Sequence, residues 1–297
     1  MTFSELHDCD LVVDSRLSLA EGPVWDSSSN NSLYWVGILD GTVHRFNTAT
    51  NVHDRWETGQ PVGSLAIRKS GGLLLAMQDG FATMDLDTSV IDLVAPVEFE
   101  NKGQRMNDGS CDSMGRFWAG TMSAGDAVLG SGSLYRLDAD GSVTTHLRGI
   151  TISNGIGWSP DDSTMYFIDT PTRRIDACDF NATDGNISNR TPLVEIPSGS
   201  GSLDGLAVDE EGCIWVAVWG ASEVRRYSPL GEHLSSLKLP VTAPSSCAFG
   251  GSNLDILFIT TARISLTPEE ILAQPTAGGV FAANVGVRGC PVAMAAY

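Results

Sequence analysis

One unit of about 45 residues recurs six times along the chain, and this period constrains the fold more than any other feature. Each unit opens on a small residue followed by a short apolar run: Gly22-Pro-Val-Trp-Asp, Ser64-Leu-Ala-Ile-Arg, Gly109-Ser-Cys-Asp, Gly155-Ile-Gly-Trp-Ser, Gly205-Leu-Ala-Val-Asp and Ser246-Cys-Ala-Phe-Gly. A polar turn comes next, then a second strand over residues 33–36, 73–77, 117–121, 165–169, 214–218 and 256–260, rich in the aromatic and β-branched residues that inner sheet positions favour. A third strand reads at 42–46, 81–86, 133–137 and 223–227. Three or four strands per 40 to 50 residues is the period of a propeller blade. A small sheet with two apolar faces buries neither alone, so blades stack on one another, and six of them close a ring. A solenoid needs polar capping repeats, and neither end of the sequence carries one. The expectation is an all-β, six-bladed β-propeller forming a single domain over residues 1–297. Residues 11–13 and 279–283 are expected to complete blades that lie next to each other.

Composition excludes several function classes. The 36 acidic residues against 18 basic ones give a net charge of −18, which repels phosphate backbones and anionic lipid heads. No nucleic-acid or membrane partner is therefore expected; the same field favours divalent cations and the exit of an anionic product. The N-terminus has no basic segment leading into an apolar one, and no apolar run approaches the roughly 20 residues of a membrane span, so a cytoplasmic protein is expected, monomeric or weakly homo-oligomeric. Six cysteines lack CxxC spacing and read as buried thiols rather than as a disulfide or zinc framework. The five histidines show no HxH or HExxH spacing, and there is neither a G-x-S-x-G elbow nor a P-loop.

The functional signal lies in the residue preceding each unit's small residue: Glu21, Gly63, Asp108, Asn154, Asp204 and Ser245. If blades are related by rotation, this slot occupies one level around the central axis. Taken singly, Asn154-Gly155, Asp108-Gly109 and Asp204-Gly205 are ordinary turn dipeptides. Glu21 fills the same slot and is no turn former, and the segments flanking Asn154 and Asp204 do not mirror each other as hairpin arms do. As a set, the slot residues read as oxygen ligands for one divalent metal ion, suited to Ca, Mg or Mn, with Zn or Fe(II) also compatible.

The sequence resembles the regucalcin/gluconolactonase family of sugar lactonases. The resemblance rests on Glu21-Gly-Pro-Val-Trp, Leu33-Tyr-Trp-Val, Gly41-Thr-Val-His-Arg, Arg105-Met-Asn-Asp-Gly, Gly120-Thr-Met, Ser153-Asn-Gly-Ile-Gly-Trp-Ser-Pro, Asp204-Gly-Leu-Ala-Val-Asp, Pro244-Ser-Ser-Cys-Ala-Phe-Gly-Gly and Gly278-Gly-Val-Phe-Ala, spread over nearly the whole chain. It implies a six-bladed propeller in which Glu21, Asn154 and Asp204 ligate the metal while Arg105 and Asn107 reach the substrate, a small sugar lactone, or a metal-bound water. Rotation selects Asp108 in the third blade whereas the family pattern selects its neighbour Asn107, which leaves Asp108 to orient a ligand or a water. Where many members place an acidic residue that contacts sugar hydroxyls, this chain reads Ser123-Ala-Gly-Asp126, so Asp126 is the candidate for that contact. Leu203 stands where proline often precedes the aspartate, and Gly37 where an aspartate often follows Tyr-Trp-Val. The chemistry implied is a lactone carbonyl polarised by the metal, Arg105 facing the oxyanion, and water activated by Asp204 or by a metal-bound hydroxide. Two rivals remain: a cation-binding regulatory propeller without turnover, and a lactonase or phosphotriesterase for a hydrophobic substrate. The second predicts an apolar channel mouth, for which Met106, Met122 and Trp219 are candidates.

Overall fold

A computed structural model describes residues 9–27, 31–99 and 101–297. It contains six four-stranded antiparallel sheets arranged as the blades of a propeller. Their inner strands are Ala20–Asp26, Val62–Ile67, Gln104–Cys111, Ser153–Trp158, Ser202–Val208 and Pro244–Gly250. In five blades the strand order from the axis outward is the order of the chain. The sixth takes Ile256–Thr261 and Val280–Asn284 as its middle strands and the N-terminal strand Asp10–Val13, here β1, as its outermost. The two ends of the propeller therefore meet within one blade rather than completing adjacent ones, with Leu11 opposite Phe281 and Val13 opposite Val280. Pairing the last strand of the chain with the first latches the ring shut, and β1 keeps the short outer edge that each blade presents.

The core is divided into six wedges, one in each gap between blades. Alternation along each strand decides which wedge a side chain enters, since successive residues point to opposite faces. Leu33 and Trp35 pack with Ile256 and Phe258 of the sixth blade, whereas Tyr34 and Val36 pack with Leu65 and Leu75 of the second. In the second blade Leu73, Leu75 and Met77 face back to the first, and Leu74 and Ala76 face Phe117 and Ala119 of the third. This explains why second strands read as nearly continuous apolar runs: both of their faces are buried. Outer strands such as His233–Lys238 are mostly exposed and polar.

The turn between first and second strands is built alike in blades three and five. Asp112 accepts hydrogen bonds from the backbone N–H of Met114 and Arg116 and from Trp118 Nε1; Asp209 accepts from the N–H of Glu211 and Cys213 and from Trp215 Nε1. Asp-x-x-Gly-x-x-Trp is thus a structural signature, with a fully buried carboxylate tying the turn to the next strand.

Beyond the last strand, the C-terminal segment crosses one end of the channel. Arg288 accepts from Glu210 N–H at 2.8 Å and Ala295 donates to Ile67 at 2.7 Å, which ties it to blades five and two. No helix among the described residues is long and apolar enough to cross a membrane. Their cysteines are all free thiols.

Ring closure through β1 makes Val13, 7% exposed in the wedge between blades six and one, a sensitive position. Val13→Asp is expected to cost at least about 3 kcal/mol in urea unfolding, because an unpaired carboxylate replaces a packed side chain. Asp14→Ala, one residue on at an exposed ion pair with Arg16, is expected to stay within about 0.5 kcal/mol.

Candidate functional site

Every inner strand carries one extra residue relative to its neighbour, at the same level. Register slips fall between Glu21 and Val24, Val62 and Ser64, Met106 and Gly109, Asn154 and Ile156, Leu203 and Leu206, and Pro244 and Ser246. A bulge breaks the ladder and re-aims a side chain out of the alternation. Six bulges at one level place the slot residues around the channel throat. The Asn-Gly and Asp-Gly pairs are therefore not turns; each lies inside a strand. In blade three the bulge contains both Asn107 and Asp108, which is why rotation and the family pattern select different neighbours.

The slots without ligand-type side chains hold the ring together. At Gly63 an added Cβ would lie 2.5 Å from the backbone of Met106 and Asn107, so the absence of a side chain lets blade three approach blade two. Ser245 donates to the carbonyl of Ala20 at 2.5 Å, joining blade six to the residue before Glu21.

Glu21, Arg105, Asn107, Asp108, Asn154 and Asp204 are all between 5 and 8% exposed. Arg105 donates to Asn107 Oδ1 at 2.7 Å, and Asn107 Nδ2 donates to Asn154 Oδ1 at 2.8 Å and to the Ser153 carbonyl at 2.7 Å. Asn154 Nδ2 donates to Thr170 Oγ1 at 2.7 Å, and that hydroxyl donates to the Leu203 carbonyl at 2.9 Å, beside Asp204. The guanidinium of Arg105 also meets the Met122 sulfur, and its Nε is buried with no hydrogen-bond partner among the described residues. Glu21, Asp108 and Asp204 each face one neighbouring backbone N–H, from Gly22, Gly109 and Gly205.

Electrostatics follow from burial. Desolvation, then the charges of Asp204 and Asp108, push the Glu21 carboxyl well above the usual range; Gly22 N–H and Arg105 oppose this. Asp204 is raised likewise by burial and by Asp108. Asp108 moves from 3.8 to about 6, mainly through burial. Burial lowers Arg105 to about 10, against the pull of Glu21 and Asp204. One guanidinium thus faces two carboxyls, Glu21 and Asp204, while Asp108 adds a third acid without a cationic neighbour of its own among the described residues.

The donor set fits a divalent cation. Carboxylate and amide oxygens are hard ligands, and a cation relieves the mutual repulsion that raises these acids. Among the described residues, only Asp209, Glu211 and Cys213 bring three acidic, thiol or imidazole ligand atoms within 4.8 Å of one another. That group is a structural knot: Asp209 is engaged by Arg226, Trp215 and backbone N–H groups, and Glu211 by Arg226. The throat acids are spread more widely, with the Asn154 amide beside them.

The remaining candidates lie apart. Asp126 is exposed on the loop following Phe117–Ser123. Ser123 pairs with Gln104, so this loop stands at the mouth where Arg105 enters, but no hydrogen bond among the described residues joins Asp126 to the throat cluster. Met106 is fully packed in the wedge between blades two and three. Trp219 sits opposite Ser202 at the same mouth. Below the slot level lies a cavity of about 510 Å³, with Gly22 and Asp108 among its walls and Cys290 to Ala293 of the C-terminal segment closing it. Neither Thr170 nor this closure shows in the repeat: the residue after the second strand makes the same backbone bond in other blades but is Ile38, Gln78, Ala124 or Ala262 there, and the closure lies beyond the last strand.

Fold and throat together define a six-bladed propeller with an acidic, arginine-bearing channel mouth. The chain belongs to the SMP-30/gluconolactonase/LRE-like family, whose model matches residues 19–263. It is 35% identical to the protein of Bacillus subtilis (strain 168) named "Putative sugar lactone lactonase YvrE", over 95% of this chain and 96% of the relative. It is 36% identical to regucalcin of Homo sapiens, over 94% of this chain and 95% of that protein. Among solved structures, a calcium-binding protein, regucalcin, from Agrobacterium tumefaciens superposes with a TM-score of 0.92 at 30% identity, covering 97% of each chain.

A pH dependence follows for the cation-free protein. Glu21, Asp108 and Asp204 hold their protons to higher pH folded than unfolded. Between the ordinary carboxylate range and the raised values the native state binds more protons, so these groups lower stability as pH rises through that window. The thermal midpoint of chelator-treated protein is expected to fall between about pH 4.5 and 7, and Asp108→Asn is expected to flatten the fall, as read by calorimetry across pH.

Proposed function

We propose that this chain hydrolyses sugar lactones, aldonolactones such as glucono-, xylono-, arabino- or galactonolactone, at the channel throat, with one divalent cation held by Glu21, Asn154 and Asp204. The observation that carries this reading is Arg105: a buried guanidinium beside an excess of carboxylates, with an unpartnered Nε–H. A buried donor left unsatisfied is costly, and a substrate oxygen satisfies it. A cation buffer has no use for a positive side chain within its site. The family name and the name of the Bacillus relative support a lactone as substrate; the calcium-binding description of the Agrobacterium structure supports a cation. The all-oxygen donor set favours Ca, Mg or Mn over Zn or Fe(II).

When bound, the cation polarises the lactone carbonyl as a Lewis acid. Arg105 stabilises the oxyanion that forms as water adds, and Asn107 anchors Arg105 and orients Asn154. The water oxygen bonds to the carbonyl carbon while its proton passes to the Asp204 carboxylate. The ring C–O bond then breaks, the leaving oxygen takes a proton back, and the open-chain hydroxy acid results. At neutral pH the product is an anion, which the net charge of −18 helps to expel. Asp108 adjusts the field below the ligands, and Asp126, exposed on the rim loop, is the residue assigned to a sugar hydroxyl by resemblance alone.

One observation favours a second reading of the substrate. Leu39, Val128, Leu129 and Ile264 are exposed, and all stand on loops between second and third strands at the same mouth. Such a rim also suits a lactone bearing an acyl chain.

The purified protein is expected to open an aldonolactone only with a divalent cation present. Asp204→Asn and Glu21→Gln are expected to lose cation binding and at least about 10³-fold in kcat/KM. Arg105→Lys is expected to keep the cation and lose about 100-fold in kcat. Turnover of verified cation-free protein at the full rate would sink the scheme. Faster hydrolysis of an acyl lactone than of any aldonolactone selects the second reading.

A further inference from the structure

We propose that Thr170 is a positioning residue that, from the side opposite Asn107, locks the Asn154 amide with its oxygen toward the cation, and that the same hydroxyl ties Asn154 to the backbone beside Asp204. The proposal rests on the throat holding a divalent cation. Only the oxygen of an amide ligates a cation; a flipped amide presents N–H donors and repels it. Something must therefore choose the orientation of Asn154.

The hydrogen bonds run one way across three blades. Arg105 has donors and no acceptor, so Asn107 must turn its oxygen to it, at 2.7 Å. Asn107 then presents its NH₂ to Asn154, at 2.8 Å from Oδ1. At the far end, the Leu203 carbonyl has only lone pairs to offer. The single hydrogen of the Thr170 hydroxyl is used there, at 2.9 Å, and a lone pair is left for the NH₂ of Asn154, at 2.7 Å. A pure donor at one end and a pure acceptor at the other fix every member between. Reversing Asn154 alone would place N–H against N–H on one side and two acceptors together on the other. With the orientation fixed, Oδ1 spends one lone pair on Asn107 and keeps the second for a cation.

The turn that carries Thr170 is itself held. Thr170 opens a 3₁₀ turn, Thr170–Thr172, directly after the second strand of blade four. Its N–H donates to the Ile152 carbonyl at 3.1 Å. The carboxylate of Asp169 accepts from the N–H of Thr151 and Ile152, and the Thr172 hydroxyl donates to the Asp169 carbonyl at 2.7 Å. The hydroxyl is thus presented from a rigid element between blades four and five. Groups that hold a ligand in this way commonly change cation affinity by 10- to 100-fold when removed.

The test is calorimetric titration of chelator-stripped protein with Mn²⁺, for wild type, Thr170→Val and Thr170→Ser, alongside thermal midpoints without cation. Thr170→Val, which loses the hydroxyl at nearly constant volume, is expected to weaken Mn²⁺ binding about tenfold or more, and Thr170→Ser to stay within about threefold of wild type. If the valine variant folds poorly, Thr170→Ala removes the same hydroxyl and carries the same expectation. Wild-type affinity in a folded Val or Ala variant, whatever its midpoint, would overturn the assignment and leave the cation site standing. No binding by the wild type would overturn the cation site and this assignment with it.

Discussion

Three carboxyl groups buried around one channel throat repel one another, and the structure of the site is a response to that repulsion. Each acid receives a single backbone N–H from the glycine that follows it, and one guanidinium offsets the charge of two of them, Glu21 and Asp204. This is too little positive charge to hold three carboxylates ionised in a water-poor place, which is why all three are displaced toward the protonated form. A chain gains nothing in stability from such a cluster. The proposed cation would account for its presence, and the proposed lactone, developing negative charge, for the arginine beside it.

The backbone makes the cluster possible. Six bulges at one level turn the slot side chains out of the strand alternation and into the channel, so the same local defect repeated by rotation brings together residues that are far apart in sequence. Where the slot is not needed for chemistry it serves closure, with Gly63 allowing two strands to approach and Ser245 joining the last blade to the first. The hydrogen-bonded chain from Arg105 to the Leu203 carbonyl then gives the throat a direction, with donors at one side and acceptors at the other. Stability and function meet at this level: the residues that close the ring are neighbours of those that face the channel.

The blade repeat was legible because it is a property of the hydrophobic pattern, and the wedges between blades obey the same alternation that defines the strands. The slot was legible because rotation makes equivalent positions meet. Rotation and the family pattern part only where a bulge contains two polar residues, at Asn107 and Asp108, since rotation counts one residue per blade. Pairing across the ends was not legible: β1 and Val280–Asn284 are both short apolar runs, and nothing in either names its partner. Thr170 and the C-terminal closure escaped for a different reason. The position of Thr170 recurs after the second strand of other blades, but with Ile38, Gln78, Ala124 or Ala262 in it, so no shared residue type marks it, and the closure occurs once. Asp126 remains a residue assigned by resemblance, exposed on a loop at the end of the channel where Arg105 enters.

The central claim is that the throat, rather than any other acidic group, holds the cation. Anomalous diffraction from crystals soaked in Mn²⁺ tests it most directly. One strong peak is expected, within about 2.0–2.6 Å of oxygens from Glu21, Asn154 and Asp204, the range of hard-cation coordination. A peak at Asp209, Glu211 and Cys213 with none in the throat would contradict the account, and so would a throat that stays empty at saturating Mn²⁺.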